Sequence, residues 1–440
     1  MKLNAYLVKS TVVPALGGLL FGFVTAVISG TTHDLTLAYH LTPALLGVTV
    51  ASALWGAVFG AMLAGIPGDR YGPRDSLWAV AVFYLLSALG CAFAWNWHSL
   101  VVSRFVGGLA IGASSVLGPM YIAEIAPAKW RGRLVGLFQV NVVVGILLAF
   151  ISNYVIGLIQ LGDLEWRWKL GVSAVPSALF LLMLFGIPRS PRWLAKKGHV
   201  DEAREVLQMT GEENFEQELR EILESVDLGH AEEPLFSWKY RVPIFLAVSI
   251  GMFNQLSGIN AVWYYLNDIF ARAGFSKVSS DLQAVTVGVT NLVAVLLAMS
   301  VIDKIGRKTL LLIGSVGCVA SLAGVSAVFF SGTHANLLLW CLVGFIGFFS
   351  FSQGAVIWVY ISEVFPNRVR AKGQSLGSFS HWFMCAIVSW VFPLMAASSG
   401  GYPFVFFAAM MALQFFVVLF FYPETKRISL EEMQKKLGIS

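Results

Sequence analysis

GDRYGPR, residues 68–74, returns as IDKIGRK at 302–308, and the interval between the copies decides how the chain is built. EIAPAKWR at 124–131 is answered by EVFPNRVR at 363–370, and PRSPR at 188–192 by PETKR at 423–427. The offsets are 234, 239 and 235 residues. A near-constant offset with preserved order means that the second half repeats the first in the same direction, as in membrane proteins built from parallel duplicated units.

What separates these motifs is apolar. The chain has 440 residues, of which 57% are hydrophobic and 12% charged. Its mean hydropathy is +0.74. Such a sequence cannot hide its apolar side chains in one water-soluble core. Runs of about 20 apolar residues, the length a helix needs to cross the hydrocarbon, recur along it. Numbered in order, the predicted spans are 8–30, 44–66, 76–96, 99–121, 133–158, 168–187, 241–270, 281–302, 309–330, 335–362, 372–396 and 402–422. The first follows Lys2 and Lys9 as a signal peptide would, but it is too long for an h-region and has no convincing cleavage site, so it reads as a membrane helix.

Lys and Arg stay preferentially on the cytoplasmic side of short loops. With both termini inside, the cations of the outer loops are Arg167, Lys169, Arg272 and Lys277, Arg104 lies within a span, and the rest fall inside. The net charge of +5 is thus used for topology and gives no reason to expect a nucleic acid partner. Cys91, Cys318, Cys341 and Cys385 lack metal-ligand spacing and read as small core residues, with neither a disulfide framework nor a metal site expected.

The expected architecture is all-α: twelve transmembrane helices in two six-helix bundles, residues 1–187 and 241–423, joined by a cytoplasmic helical linker at 188–240 and followed by a cytoplasmic tail at 424–440. In the linker, Val206, Leu207, Phe215, Leu219, Ile222 and Leu223 recur at helical spacing and should cover the bundle base while Glu and Arg face water. The repeated charged motifs stand at cytoplasmic helix ends, where carboxylates and guanidinium groups can pair and separate as an inner gate. Taken singly, each cluster would serve equally as an interfacial anchor for its helix.

These motifs carry a resemblance. RFVGGLAIGASSVLGPMYIAEIAPAKWRGR at 104–133 and NQLSGINAVWYY at 254–265 are similar to signatures of the sugar porter family of the major facilitator superfamily, which the chain resembles over essentially its full length. The resemblance implies the major facilitator fold and alternating access to a central monosaccharide site, with no cofactor. By motif, it carries substrate contacts onto Phe21, Gln139, Asn254, Gln255, Asn260, Asn291, Trp358, His381 and Trp382, and the outer gate onto Tyr264 and Tyr265. It carries the inner gate onto Asp69, Arg70, Arg74, Glu124, Arg131, Arg192, Asp303, Arg307, Glu363, Arg370 and Glu424. The chemistry agrees, because a sugar hydroxyl donates and accepts, and carboxamides answer both demands without holding an ion in the membrane. Asn254, Gln255 and Asn260 surround Ser257-Gly258, where a glycine lets span 7 break. A buried Asn or Gln can also serve only as an interhelical bond, the reading preferred for Asn153.

The sequence departs from the family in telling places. Val24 stands where proton-coupled members carry an aspartate, the acid that the family pairs with the arginine corresponding to Arg104. Valine cannot hold a proton, so a uniporter is expected. Pro73 replaces a motif arginine, Arg189 a motif glutamate, and GAVIW at 354–358 lacks the prolines that usually break span 10. The loss at position 189 is expected to weaken cytoplasmic closure and tilt the resting population inward.

A glucose- or xylose-class uniporter, monomeric in a bacterial plasma membrane, is therefore expected. The alternatives are a sugar–proton symporter, a polyol or drug transporter, and a non-transporting sensor. The chain ends some eighteen residues after span 12, without the long tail of a signalling sensor. No nucleophile elbow, phosphate loop or metal cluster suggests an enzyme. His381 is the one loose candidate for a displaced proton carrier, since an imidazole titrates near neutrality. His381→Gln is expected to leave the pH dependence of uptake unchanged, as a neutral substrate contact requires; a pH profile that flattens in this variant would assign the proton to His381.

Overall fold

The computed structural model describes residues 4–127, 130–211, 214–227, 234–366, 368–426, 428 and 430–439. Regular structure among the described residues is helical throughout. Among the described residues twelve stretches are long and apolar enough to cross a membrane, and their ends fall within six residues of the sequence-based ones. A backbone surrounded by hydrocarbon must bond within its own segment, which is why apolar runs of this length become helices.

The chain forms two compact units, and their boundary does not follow the linker alone. The first comprises Met1–Thr25, Trp55–Ala149 and Arg167–His230. Its helices approach closely through glycines: a Cβ on Gly22 of span 1 would lie 2.9 Å from the backbone nitrogen of Ile146, and one on Gly145 of span 5 would lie 3.0 Å from that of Phe23. Small residues that admit a neighbouring backbone are the usual means of helix packing in lipid. The linker helices Pro191–Lys196, Val200–Met209 and Phe215–Asp227 belong to this unit. Val206, Leu207, Leu219 and Ile222 are buried, and Phe215 and Leu223 half-buried. On the outer face Arg204 pairs with Glu216 at 2.9 Å and Asp201 at 3.0 Å.

The second unit comprises Ala26–Leu54, Phe150–Trp166 and Ala231–Ser440. It joins the end of span 1, most of span 2 and the end of span 5 to the whole second half of the chain. Within it, Phe150 stacks on Trp263 with ring centroids 5.8 Å apart. Asn153 donates to the carbonyl of Val27 at 3.1 Å, as expected of an interhelical amide.

Two spans of this unit are broken. Span 7 consists of Arg241–Leu256 and Ile259–Arg272, separated at Gly258, whose φ of 82° is left-handed. The Ser257 hydroxyl donates to Asn254 O at 2.6 Å and accepts from Ile259 N at 3.3 Å, so the groups freed by the break keep partners. Span 10 consists of Asn336–Phe351 and Gln353–Val364, although the expected prolines are absent. Ser352, at φ −114° and ψ −85°, makes this break, its hydroxyl donating to Phe348 O at 2.6 Å. A serine bonding back to the preceding turn bends a helix without a ring to force it.

Gly258→Ala tests the span 7 break. A Cβ there would sit 2.6 Å from Phe407 Cγ and adopt a left-handed backbone, costing about 1–2 kcal/mol for the conformation and a similar amount for overpacking. A lowered unfolding midpoint in detergent is expected; an unchanged midpoint would mean that residue 258 is not held in this conformation.

Candidate functional site

The break in span 7 gathers amides from both of its sides. Gln255 Nε2 donates to Asn254 Oδ1 at 3.1 Å, and Gln255 Oε1 accepts from Asn260 Nδ2 at 3.0 Å. Gln255 Nε2 also stands 3.3 Å from the ring nitrogens of His381 on span 11. The His381 ring lies 5.1 Å from that of Trp358 on span 10 and 5.3 Å from that of Trp382. Asn254 and Gln255 are buried while Trp358 keeps 40% of its surface exposed. The result is a wall of uncharged donors and acceptors edged by an accessible indole.

Not every predicted contact joins this wall. Trp382 is adjacent to His381 but buried, and Asn291 is buried where it accepts from Ser350 at 2.7 Å. Gln139 and Phe21 belong to the first compact unit, Gln139 exposed on the Arg131–Ile159 helix and Phe21 half-buried. One participant was not foreseen. Cys385, four residues after His381, accepts from Asn260 Nδ2 at 3.0 Å. Its signal is the spacing His381, Cys385, Ser389, which puts three polar side chains on one face of span 11.

Tyr264 and Tyr265 are 2% and 1% exposed. Tyr265 departs from helical geometry, at φ −116° and ψ 19°, donates to Ser389 O at 3.0 Å and stacks on Phe392 at 5.0 Å. Beyond them the second unit carries a bridge of three charges. Lys277 lies 2.9 Å from both carboxylate oxygens of Asp34 and 3.1 Å from Glu165. Asp34 and Glu165 come from the first half of the sequence and Lys277 from the second. Of the other cations expected on outer loops, Arg167 and Arg272 donate to the carbonyls of Ala92 and Ala396. Lys169 is a correction: it lies in the helix Glu165–Gly171 and is fully buried.

The repeated motifs form ion pairs within each copy. In the second, Arg307 meets Glu363 at 2.9 Å, and Glu424 accepts from the backbone of Arg307 and Lys308 at 2.9 and 3.1 Å. Arg370 Nε donates to Phe365 O at 3.4 Å. The side chain of Asp303 and residue Arg427 lie outside the described residues. In the first, Asp69 meets Lys196 at 3.0 Å, Arg131 meets Glu218 at 3.4 Å and Arg74 meets Asp75 at 3.8 Å. Arg70 lies over the ring of Tyr71, and Arg192 is near Glu124.

Val24 is half-buried. A Cβ on Gly107 of span 4 would lie 3.8 Å from Val24 Cγ1, and Gly107 is one helical turn from the buried Arg104. Position 24 therefore packs against the arginine's own helix. Among the described residues no group of three His, Cys, Asp or Glu side chains could hold a metal ion.

Residues 10–437 match the family described as "Sugar (and other) transporter". The D-xylose-proton symporter of Escherichia coli (strain K12) is 34% identical over 98% of this chain and 96% of its own length. The glucose transporter GlcP of Staphylococcus epidermidis is 35% identical over 99% and 98%. The inward-open conformation of the xylose transporter XylE from E. coli superposes with a TM-score of 0.88 at 33% identity, covering 98% of this chain and all of that one. With its twelve membrane-length helices and a match spanning nearly all of the sequence, the chain belongs to the sugar porter family of the major facilitator superfamily.

Proposed function

We propose that this protein carries a neutral monosaccharide of the glucose or xylose class across the plasma membrane by alternating access, as a uniporter. The observation that carries the sugar reading is the uncharged wall of Asn254, Gln255, Asn260 and His381 beside the exposed Trp358. Amides and an imidazole answer hydroxyls in both directions, and an indole face suits the C–H surface of a pyranose ring. Relatives named as xylose and glucose transporters support the same substrate class.

The moving parts in this reading are the bundles 1–187 and 241–423, with 188–240 as cytoplasmic linker, 424–440 as tail and both termini cytoplasmic; the protein acts as a monomer. Tyr264 and Tyr265 serve as the outer gate. The ion pairs of the charged repeats serve the inner one.

Uniport rests on Val24. A carboxylate at this position would pack against the helix of Arg104, where its protonation could answer to conformation. Valine offers neither charge nor proton. The relative named a proton symporter favours a second reading, symport through another group.

Uptake of radiolabelled glucose and xylose into proteoliposomes, with and without an imposed pH gradient, separates the two. The unmodified protein is expected to equilibrate sugar without accumulating it, and the gradient to leave the plateau unchanged. Val24→Asp is expected to make that plateau respond to the gradient. Accumulation by the unmodified protein would overturn uniport; uptake of neither sugar would turn the substrate reading toward polyols or a sensor.

A further inference from the structure

The two copies of the repeat can be compared side chain by side chain at their charged ends, because the charged motifs of each copy lie within one compact unit. Their scaffolding is duplicated. Tyr121 donates to the carbonyl of Pro188 at 2.7 Å, and its counterpart Tyr360 to that of Pro423 at 3.2 Å. Arg131 Nε donates to Ala126 O at 3.3 Å just as Arg370 does to Phe365 O. Thr425 donates to Glu363 at 2.6 Å, and Ser190 stands at the corresponding place near Glu124.

The charges laid over this scaffold are different. In the second copy Glu424, from the chain leaving span 12, accepts from the first two backbone N–H groups of the helix Arg307–Ser331, while the Arg307 side chain turns to Glu363. In the first copy Pro73 occupies the place of Arg307, so that position offers neither a guanidinium nor an N–H. Arg189 occupies the place of Glu424, and Asp75 that of Thr309. Arg189 Nη2 lies 3.1 Å from Asp75 Oδ2. Its guanidinium lies 5.7 Å from the ring of Trp193, which also donates to Asp69 O at 3.3 Å.

We propose that the first copy keeps the same bridge with its polarity reversed, and that Asp75 and Arg189 are the positioning residues that tie the start of span 3 to the chain leaving span 6. The carboxylate has moved from the linker onto the helix, and the guanidinium from the helix onto the linker. In both copies a carboxylate neutralises a helix N-terminus. In the second it arrives from outside and accepts N–H groups. In the first, proline at N1 has no N–H to give, and Asp75 supplies the charge from within the first turn.

Two departures that look like separate losses, Pro73 and Arg189, are thus one exchange, and the sequence-based view of Arg189 as a lost glutamate is revised. Glu124 has no counterpart of Arg307 beside it, Arg192 and Lys196 being the cations nearby, and its Oε2 is buried with no hydrogen-bond partner. Restoring the family's glutamate at 189 by itself would therefore set a second carboxylate against Asp75 and remove its cation. It should harm the protein rather than repair it.

The proposal uses the transport reading only for one of its two readouts, initial uptake rate in proteoliposomes; the other is the unfolding midpoint in detergent, which needs no sugar. Arg189→Glu is expected to slow uptake about fivefold, the scale of a partly exposed ion pair, and to lower the midpoint. Arg189→Lys should stay within about twofold. The swap Asp75→Arg with Arg189→Glu, and the second-copy combination Pro73→Arg with Arg189→Glu, should each recover most of the loss. Arg189→Glu equal to or better than the unmodified protein, or both double variants no better than the single one, would overturn the proposal. If no sugar is taken up, the order of midpoints decides it alone.

Discussion

A backbone amide that leaves its helix inside hydrocarbon has no water to turn to, and this constraint governs where the protein can place a binding surface. Spans 7 and 10 are broken, and both breaks are closed by serine. Ser257 bonds to the turns on either side of Gly258, and Ser352 bonds back to Phe348. Each break re-aims the residues that follow it. Gln255 before Gly258 meets Asn260 after it while holding Asn254, and Trp358, six residues beyond Ser352, stands beside His381. Without the breaks these side chains would spiral away from one another at helical spacing.

The twelve spans were legible because apolar length is a local property, and the duplication because its charged motifs keep register. The Gly258 break was legible for the same reason, since glycine in Ser257-Gly258 among amides announces a left-handed turn. The Ser352 break was not, because serine continues helices as readily as it bends them, and only its packing against Gly314 and its bond to Phe348 settle the matter. Lys277 could be read only as a cation on a loop; its partner Asp34 lies 243 residues earlier. Cys385 reads as core from its type and is fully buried, but its amide contact depends on what span 7 presents to it.

The grouping of the end of span 1, most of span 2 and the end of span 5 with the second half follows from contacts of two kinds. The Phe150–Trp263 stack is apolar and non-directional, and Gly47 admits the backbone of Trp390 at close range. The bridge from Lys277 to Asp34 and Glu165 is directional and partly open to solvent, with Lys277 43% exposed. Apolar area supplies most of the attraction in such a contact, while an exposed ion pair contributes at most about 1 kcal/mol and chiefly fixes register. A contact of this composition holds without being locked.

The neutral wall has an energetic consequence for any sugar that meets it. Gln255 already engages Asn254, Asn260 and His381, so the amides arrive satisfied rather than waiting for a ligand. A hydroxyl that binds there exchanges one hydrogen bond for another, and such exchanges are individually worth only about 0.5–1.5 kcal/mol. A charged partner in the same place would bind more strongly and release more slowly. Carrying a solute demands release on every cycle, so a site built from mutually bonded amides sacrifices affinity for turnover. The same argument fits the neutral side chain at position 24 under the proposed uniport: no step of such a cycle requires an ion to be buried or exposed as the conformation changes.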